Sequence, residues 1–171
     1  MGELIVDQVL SQLPVSRQTA IQPSRTAALP LRFDQFDRAE LESELGNRFE
    51  VVPWRSAYLV ATYGIHAEAL LKEASPELRR PIGTSRYTLA EIPWSFTKEC
   101  PASLCDLLER RLRMVIFAVG QGLPELTEIA QLAAEAAGWD EERMCAEAGA
   151  YAAAVRRRYQ IVATGMERSA A

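Results

Sequence analysis

The sequence predicts an all-α protein, a helical bundle of about six to eight helices with a long irregular N-terminal arm. Three observations lead to this fold class. Apolar residues recur at helical spacing through most of the chain. Capping residues, glycines and prolines bound the resulting segments at intervals typical of helices. Only residues 49–52 have the composition of a strand.

The N-terminal part begins with a predicted amphipathic helix over residues 1–13, which Pro14 ends. Residues 15–32 are rich in Ser, Thr, Gln and Pro and show no period. They are expected to form a loop or an extended arm that lies over another surface. An arm of this length is unusual within a compact domain, so it indicates contact with a partner.

Short helices follow the arm. Asp37 and Glu40 have the spacing of a capping box and open a helix that is expected to stop at Gly46. Further helices are predicted over residues 56–64 and 66–74. Thr88 and Glu91 then repeat the capping-box spacing at the start of a helix that runs to residue 99.

The C-terminal part contains three predicted helices, over residues 103–119, 125–137 and 140 to about 162. Gly120 and Gly138 end the first two. The first has an apolar stripe formed by Leu104, Leu107, Leu108, Leu112, Val115 and Ile116. The last has acidic residues in its first turn and arginines near its end, the order that the helix dipole favours.

The composition is that of an ordinary globular domain, with 49% apolar and 25% charged residues. The net charge of −4 argues against non-specific binding of nucleic acid. Three cysteines without a C-x-x-C pair favour free thiols in a reducing compartment. No secretory leader opens the sequence, and no apolar run approaches the length of a membrane span. A cytoplasmic location is therefore expected.

Residues for catalysis or for binding a cofactor or metal are scarce. His66 is the one histidine, and its place at a helix start favours a capping or surface role. Gly120 and Gly122 form the one G-x-G, but Glu125 stands where a dinucleotide loop needs its third glycine. The sequence thus predicts no catalytic, cofactor-binding or metal-binding residue in this chain.

A dense charged cluster lies around residues 99–113. We predict a structural ion-pair network whose members are Glu91, Glu99, Asp106, Arg110, Arg111 and Arg113. Arg111 borders the apolar stripe, so a partly buried guanidinium there needs a carboxylate, and Glu91 and Glu99 are the candidates. The network would fix the angle between two helices. The alternative is a dock for an anion or a partner protein.

The spacing of these charged residues resembles a signature of the C-terminal helical domain of FAD-dependent glycerol-3-phosphate dehydrogenases and glycerophosphate oxidases. Other stretches resemble that family in order and spacing: residues 59–67, 80–83 and 138–143, with Tyr151 beyond them. Residues 1–13 resemble the helix that closes the family's flavin domain, and Thr26 with Pro30 and Leu31 resembles the connecting arm.

The sequence also departs from the family pattern. Pro101 and Ser103 stand where the family has a small helix-forming residue and a threonine. We expect a helix break at Cys100 and Pro101, with Ser103 as a new N-cap. In the family the FAD-binding and substrate-binding residues lie in a part that would precede Met1. The resemblance therefore implies the C-terminal portion of a longer enzyme.

Under this resemblance the chain has a linker or arm over residues 14–36, a helical cap domain over 37–162 and a disordered tail over 163–171. The parent enzyme would oxidise sn-glycerol 3-phosphate to dihydroxyacetone phosphate with FAD and pass electrons to quinone or oxygen. The cap would bind no FAD and would pack on the flavin-binding body, with a homodimer as a further option and membrane association only peripheral, through the parent. The alternative is a free-standing helical interaction module.

Overall fold

The computed structural model describes residues 2–18, 21–22, 28 and 36–158. The all-α prediction is confirmed, since the described residues form helices and turns and contain no strand. By its internal contacts the chain divides into two units, Met1–Gln35 and Phe36–Ala171.

The first unit contains helices α1 (Gly2–Leu10) and α2 (Val15–Gln18). α1 ends earlier than predicted and has no buried residue. Within the predicted arm, Val15–Gln18 is helical rather than irregular, and Gln18 Nε2 donates to the Leu13 carbonyl at 2.6 Å. Most of the rest of the 14–36 arm lies outside the described residues, as does the predicted tail over 163–171.

The second unit begins with three helices that pack together: α3 (Arg38–Phe49), α4 (Pro53–Tyr63) and α5 (His66–Glu73). The predicted cap of α3 is confirmed, because Asp37 accepts a hydrogen bond from the Glu40 amide at 3.0 Å. The predicted stop at Gly46 is wrong. A Cβ atom there would lie 3.3 Å from the Val51 carbonyl oxygen, so this glycine allows a close approach of the backbone.

The predicted strand over residues 49–52 is also wrong. Phe49 is the last residue of α3, and Glu50 follows in the left-handed conformation, with φ 56°. Val51 is buried, and Pro53 starts α4 in the first helical turn, where a missing amide is tolerated. The apolar residues thus serve a tight connection between two helices.

The middle of the unit contains a 3-10 turn (Pro76–Arg79), helix α6 (Glu91–Trp94) and a π-helical continuation of α6 (Ser95–Glu99). The expected break is confirmed: Cys100 adopts φ 51°, and the Asp106 amide donates to Ser103 Oγ at 3.0 Å. A second π-helical segment, Asp106–Arg111, follows.

The single helix predicted over residues 103–119 is wrong. Arg113 is left-handed, with φ 57°, and separates the π segment from helix α7 (Met114–Phe117). Ala118 has an extended backbone, and a 3-10 turn (Val119–Gly122) follows it. Since the helix is interrupted, Ile116 leaves the predicted apolar stripe and is 64% exposed.

Helices α8 (Leu126–Ala137) and α9 (Glu141–Arg158) pack against each other and complete the described fold. Gly138 ends α8 in the left-handed conformation, and the Arg143 amide donates to Asp140 at 2.8 Å at the start of α9. The predicted end of this helix near residue 162 lies outside the described residues.

Two apolar cores hold this unit together. One, between α3, α4 and α5, includes Leu45, Leu59, Leu70, Leu71 and Trp94. The other, against α8 and α9, includes Leu104, Leu107, Leu108, Ile129, Ala133 and Tyr151. Tyr58 and Leu78 contact both cores. No helix in the described part of the chain is long and apolar enough to cross a membrane.

Candidate functional site

A buried carboxylate, Glu91, lies at the start of α6 and is fully inaccessible to solvent. Its Oε1 accepts hydrogen bonds from the hydroxyls of Tyr58, at 2.8 Å, and Tyr63, at 2.9 Å. Its Oε2 accepts from the Thr88 amide at 2.5 Å and from Thr88 Oγ1 at 3.3 Å. Four donors therefore converge on one side chain.

Local sequence explains how these groups meet. The capping-box spacing turns the Glu91 side chain back toward Thr88, as predicted. Tyr58 and Tyr63 both project from α4 onto the same carboxylate. Thr88 is fixed in turn by an isolated antiparallel bridge to Pro81. Three separate pieces of the chain are thus joined at Glu91.

Burial governs the electrostatics of this cluster. It raises the pKa of Glu91 to about 7, and the hydrogen bonds from Thr88, Tyr58 and Tyr63 lower that pKa only in part. Burial and the nearby Glu91 charge raise the pKa values of both tyrosines, which therefore keep their protons and act as donors.

The structure brings three of the predicted network residues together around Arg111. Its Nη1 lies 3.3 Å from Glu99 Oε2, and its Nε lies 3.8 Å from Asp106 Oδ2. Arg110 Nη1 lies 3.4 Å from the other oxygen of Asp106. The Arg111 side chain is 34% exposed, so the pair with Glu99 joins the two π segments at a half-buried position.

Two predicted members stand apart from this network. Glu91 makes no salt bridge within the described residues, because its oxygens are already occupied by hydroxyl and amide donors. Arg113 likewise has no carboxylate partner among them. Its left-handed backbone lies between the π segment, which ends at Arg111, and helix α7.

We expect Arg111→Ala to lower the free energy of unfolding by about 1 kcal/mol, because the ion pair is half-buried and partly screened. Arg110→Ala is the matched control. Its side chain is 80% exposed, so the loss should stay below about 0.5 kcal/mol. Urea denaturation of both variants measures the difference, and equal losses would contradict the assignment.

A surface pocket of about 250 Å³ shares Tyr58 with the Glu91 cluster and is lined by four arginines, Arg86, Arg110, Arg111 and Arg113. Tyr58 and Tyr87 also line this pocket, and their rings pack edge to face with centroids 5.5 Å apart. The Arg86 guanidinium lies over the rings of Phe117, at 4.7 Å, and Tyr58, at 5.6 Å. This arrangement can attract an anion.

Several of these residues carry no signal in the sequence that would place them at this site. Arg86 lies far from the cluster in sequence, and no spacing rule connects the two. Tyr58 and Tyr63 could have been noticed as two tyrosines five positions apart on a predicted helix. Nothing in the sequence, however, indicates that both reach Glu91.

Gly120 and Gly122 do not form a dinucleotide-binding loop. A dinucleotide loop follows a strand and opens a helix. Gly120 and Gly122 instead follow helix α7 and form a 3-10 turn, with φ 68° and 74°. A Cβ atom at Gly120 would lie 3.0 Å from Pro124 Cδ, so this glycine serves the turn. Within the same residues no three acidic, histidine or cysteine side chains are grouped to hold a metal ion.

The remaining candidates have simple placements. His66 is the exposed first residue of α5. Cys100 and Cys145 are exposed and Cys105 is partly buried, and all three are free thiols, as predicted. Burial raises the pKa of the Cys105 thiol, and the negative charge of Glu109 raises it further by a smaller amount.

Fold and site together define an all-helical domain with a buried carboxylate cluster and an arginine-lined surface pocket. Among protein families, the C-terminal domain of alpha-glycerophosphate oxidase matches residues 24–144. The chain belongs to this family. No curated protein and no solved structure matches the sequence.

Proposed function

We propose that this chain is the structural and docking cap of an aerobic-type, FAD-dependent sn-glycerol-3-phosphate dehydrogenase or oxidase. The parent enzyme would convert glycerol 3-phosphate to dihydroxyacetone phosphate and pass electrons to quinone or oxygen. The match to an alpha-glycerophosphate oxidase C-terminal domain supports this proposal more than any other observation. FAD and substrate would bind to the parent's flavin-binding body and not to the cap.

An exposed apolar ridge supports the docking role. Ile116, Phe117 and Val119 are 64%, 50% and 86% exposed. Met114 and Val115 of the same short helix are buried, so α7 is anchored while Ile116 and Phe117 remain exposed. Neighbouring apolar side chains exposed in this way typically mark an interaction surface. We assign the flavin-binding body as the partner of this ridge.

The cap would act without a reaction centre of its own. It would stabilise the body by covering apolar surface. Because Phe117 belongs both to the ridge and to the lining of the arginine pocket, the pocket would lie at the edge of the contact. We place the parent enzyme in the cytoplasm or peripherally on the inner face of the membrane, with a homodimer as a further assembly.

The test is to mix the chain with the flavin-binding body of a family member that lacks its own cap. We expect association at micromolar concentration and a rise in the melting temperature of the body. Val119→Asp should weaken this association at least about tenfold, because docking would then bury an unpaired carboxylate. Analytical ultracentrifugation with flavin absorbance measures the complex.

Val52→Asp is the matched control, since Val52 is 42% exposed and lies before α4 rather than on the ridge. It should leave the association unchanged. No association of the unmodified chain would overturn the proposal and favour a free-standing interaction module. An equal loss in both variants would overturn the assignment of the ridge.

A further inference from the structure

The arginine-lined pocket carries more positive charge than its carboxylate neighbours balance. Four guanidinium groups line it. Asp106 and Glu99 are the carboxylates that make salt bridges with them in the described part of the chain, which leaves two positive charges. This excess is unusual in a chain whose net charge is −4. Like charges held close together repel, so a bound anion would stabilise the pocket.

Of the four arginines that line the pocket, Arg86 and Arg113 have no salt bridge to a described carboxylate. Arg86 is held by the rings of Tyr58 and Phe117. Such stacking positions a guanidinium and leaves its N–H groups in the plane available as donors. A donor that is already oriented loses less entropy when it binds an anion.

Arg113 is held by the backbone. Its φ is 57°, a left-handed conformation that is unfavourable in a residue that is not glycine. This conformation follows the π segment that carries Arg110 and Arg111, and all three side chains line the pocket. Strained residues of this kind cluster at ligand sites, and here the strained residue itself contributes a charge to the pocket.

We propose that this pocket binds a small doubly charged oxyanion, a phosphate ion or the phosphate group of a small phosphate monoester. A tetrahedral phosphate offers several acceptor oxygens to forked guanidinium donors, whereas a carboxylate offers two oxygens in one plane. Its double charge matches the two arginines of the pocket that have no salt bridge to a described carboxylate. A volume of about 250 Å³ holds a phosphate with a few further atoms and lies below the range of larger organic ligands.

The site does not rest on the proposed docking function, and its test uses the chain alone. Inorganic phosphate is titrated by calorimetry at constant ionic strength and mildly alkaline pH, with chloride as the reference anion. We expect saturable binding with a dissociation constant of about 1 mM or less. Arg86→Gln and Arg113→Gln should each weaken binding at least about tenfold, with the helical circular dichroism retained.

Arg143→Gln is the matched control, because Arg143 also stacks on an aromatic ring, Trp139, at 4.9 Å but lies on α9 outside the pocket. It should leave the phosphate affinity unchanged. Arg110→Gln gives a second pocket variant at an 80% exposed side chain, which keeps the test valid if Arg113→Gln does not fold. No saturable binding to the unmodified chain, or an equal loss in Arg143→Gln, would overturn the site.

Discussion

Glu91→Ala is expected to lower the free energy of unfolding by about 3–5 kcal/mol. The substitution removes the carboxylate that accepts from the Tyr58 and Tyr63 hydroxyls. It also leaves the Thr88 amide without its acceptor and opens a cavity at a fully buried position. Each buried donor without a partner adds to the loss. Urea denaturation followed by circular dichroism measures it.

Two variants separate this effect from a general loss of helix stability. Glu135→Ala, at an exposed position on α8, should change the free energy of unfolding by less than about 0.5 kcal/mol. Glu91→Ala combined with Tyr58→Phe and Tyr63→Phe should lose less than Glu91→Ala alone, because neither tyrosine hydroxyl is then left without its acceptor. Losses that simply add across the three sites would show that the cluster does not act as a unit.

The same residue gives a pH dependence. Relative to Glu91→Gln, the free energy of unfolding should fall by about 3 kcal/mol as the pH rises from below 4.5 to above 7. Burial raises the pKa of the folded-state carboxyl to about 7, against an ordinary value of 4.5, so the folded state holds the proton more tightly. The stabilisation is complete below the unfolded pKa and is lost as the pH rises through the folded pKa.

Glu91→Gln provides the reference because it cannot ionise and keeps the size of the side chain. Other carboxylates titrate in both proteins, so the difference between the two denaturation series isolates Glu91. Tyr58 and Tyr63 do not contribute in this range, since their pKa values are raised further from it. If the difference in the free energy of unfolding between the two proteins does not change with pH, the assigned pKa of Glu91 is contradicted.

Local chemistry made much of the helical organisation predictable. Asp37, Ser103, Gly138 and Asp140 all act at helix ends as their side chains or flexible backbones predict. Such signals depend on neighbours within four positions, which a sequence displays directly. The family resemblance was predictable for the same reason, because it consists of short spacings.

Features that depend on distant parts of the chain were not predictable. Glu50 and Arg113 lie at helix ends in a left-handed conformation that favours glycine, so their residue types give no indication of it. Because Arg113 interrupts the helix, Ile116 is exposed and does not belong to the predicted apolar stripe. The capping-box spacing of Thr88 and Glu91 is the same whether the carboxylate is exposed or buried, so it could not predict the tyrosines around it.

Tyr58 contacts both apolar cores, and its hydroxyl is bonded to Glu91. Leu78 also contacts both cores, so a disturbance in either half of the helical body reaches the other through these two side chains. Bodies linked in this way tend to melt in one cooperative step. A protease that meets the folded domain would then find few cleavable intermediates, because neither half opens before the other gives way.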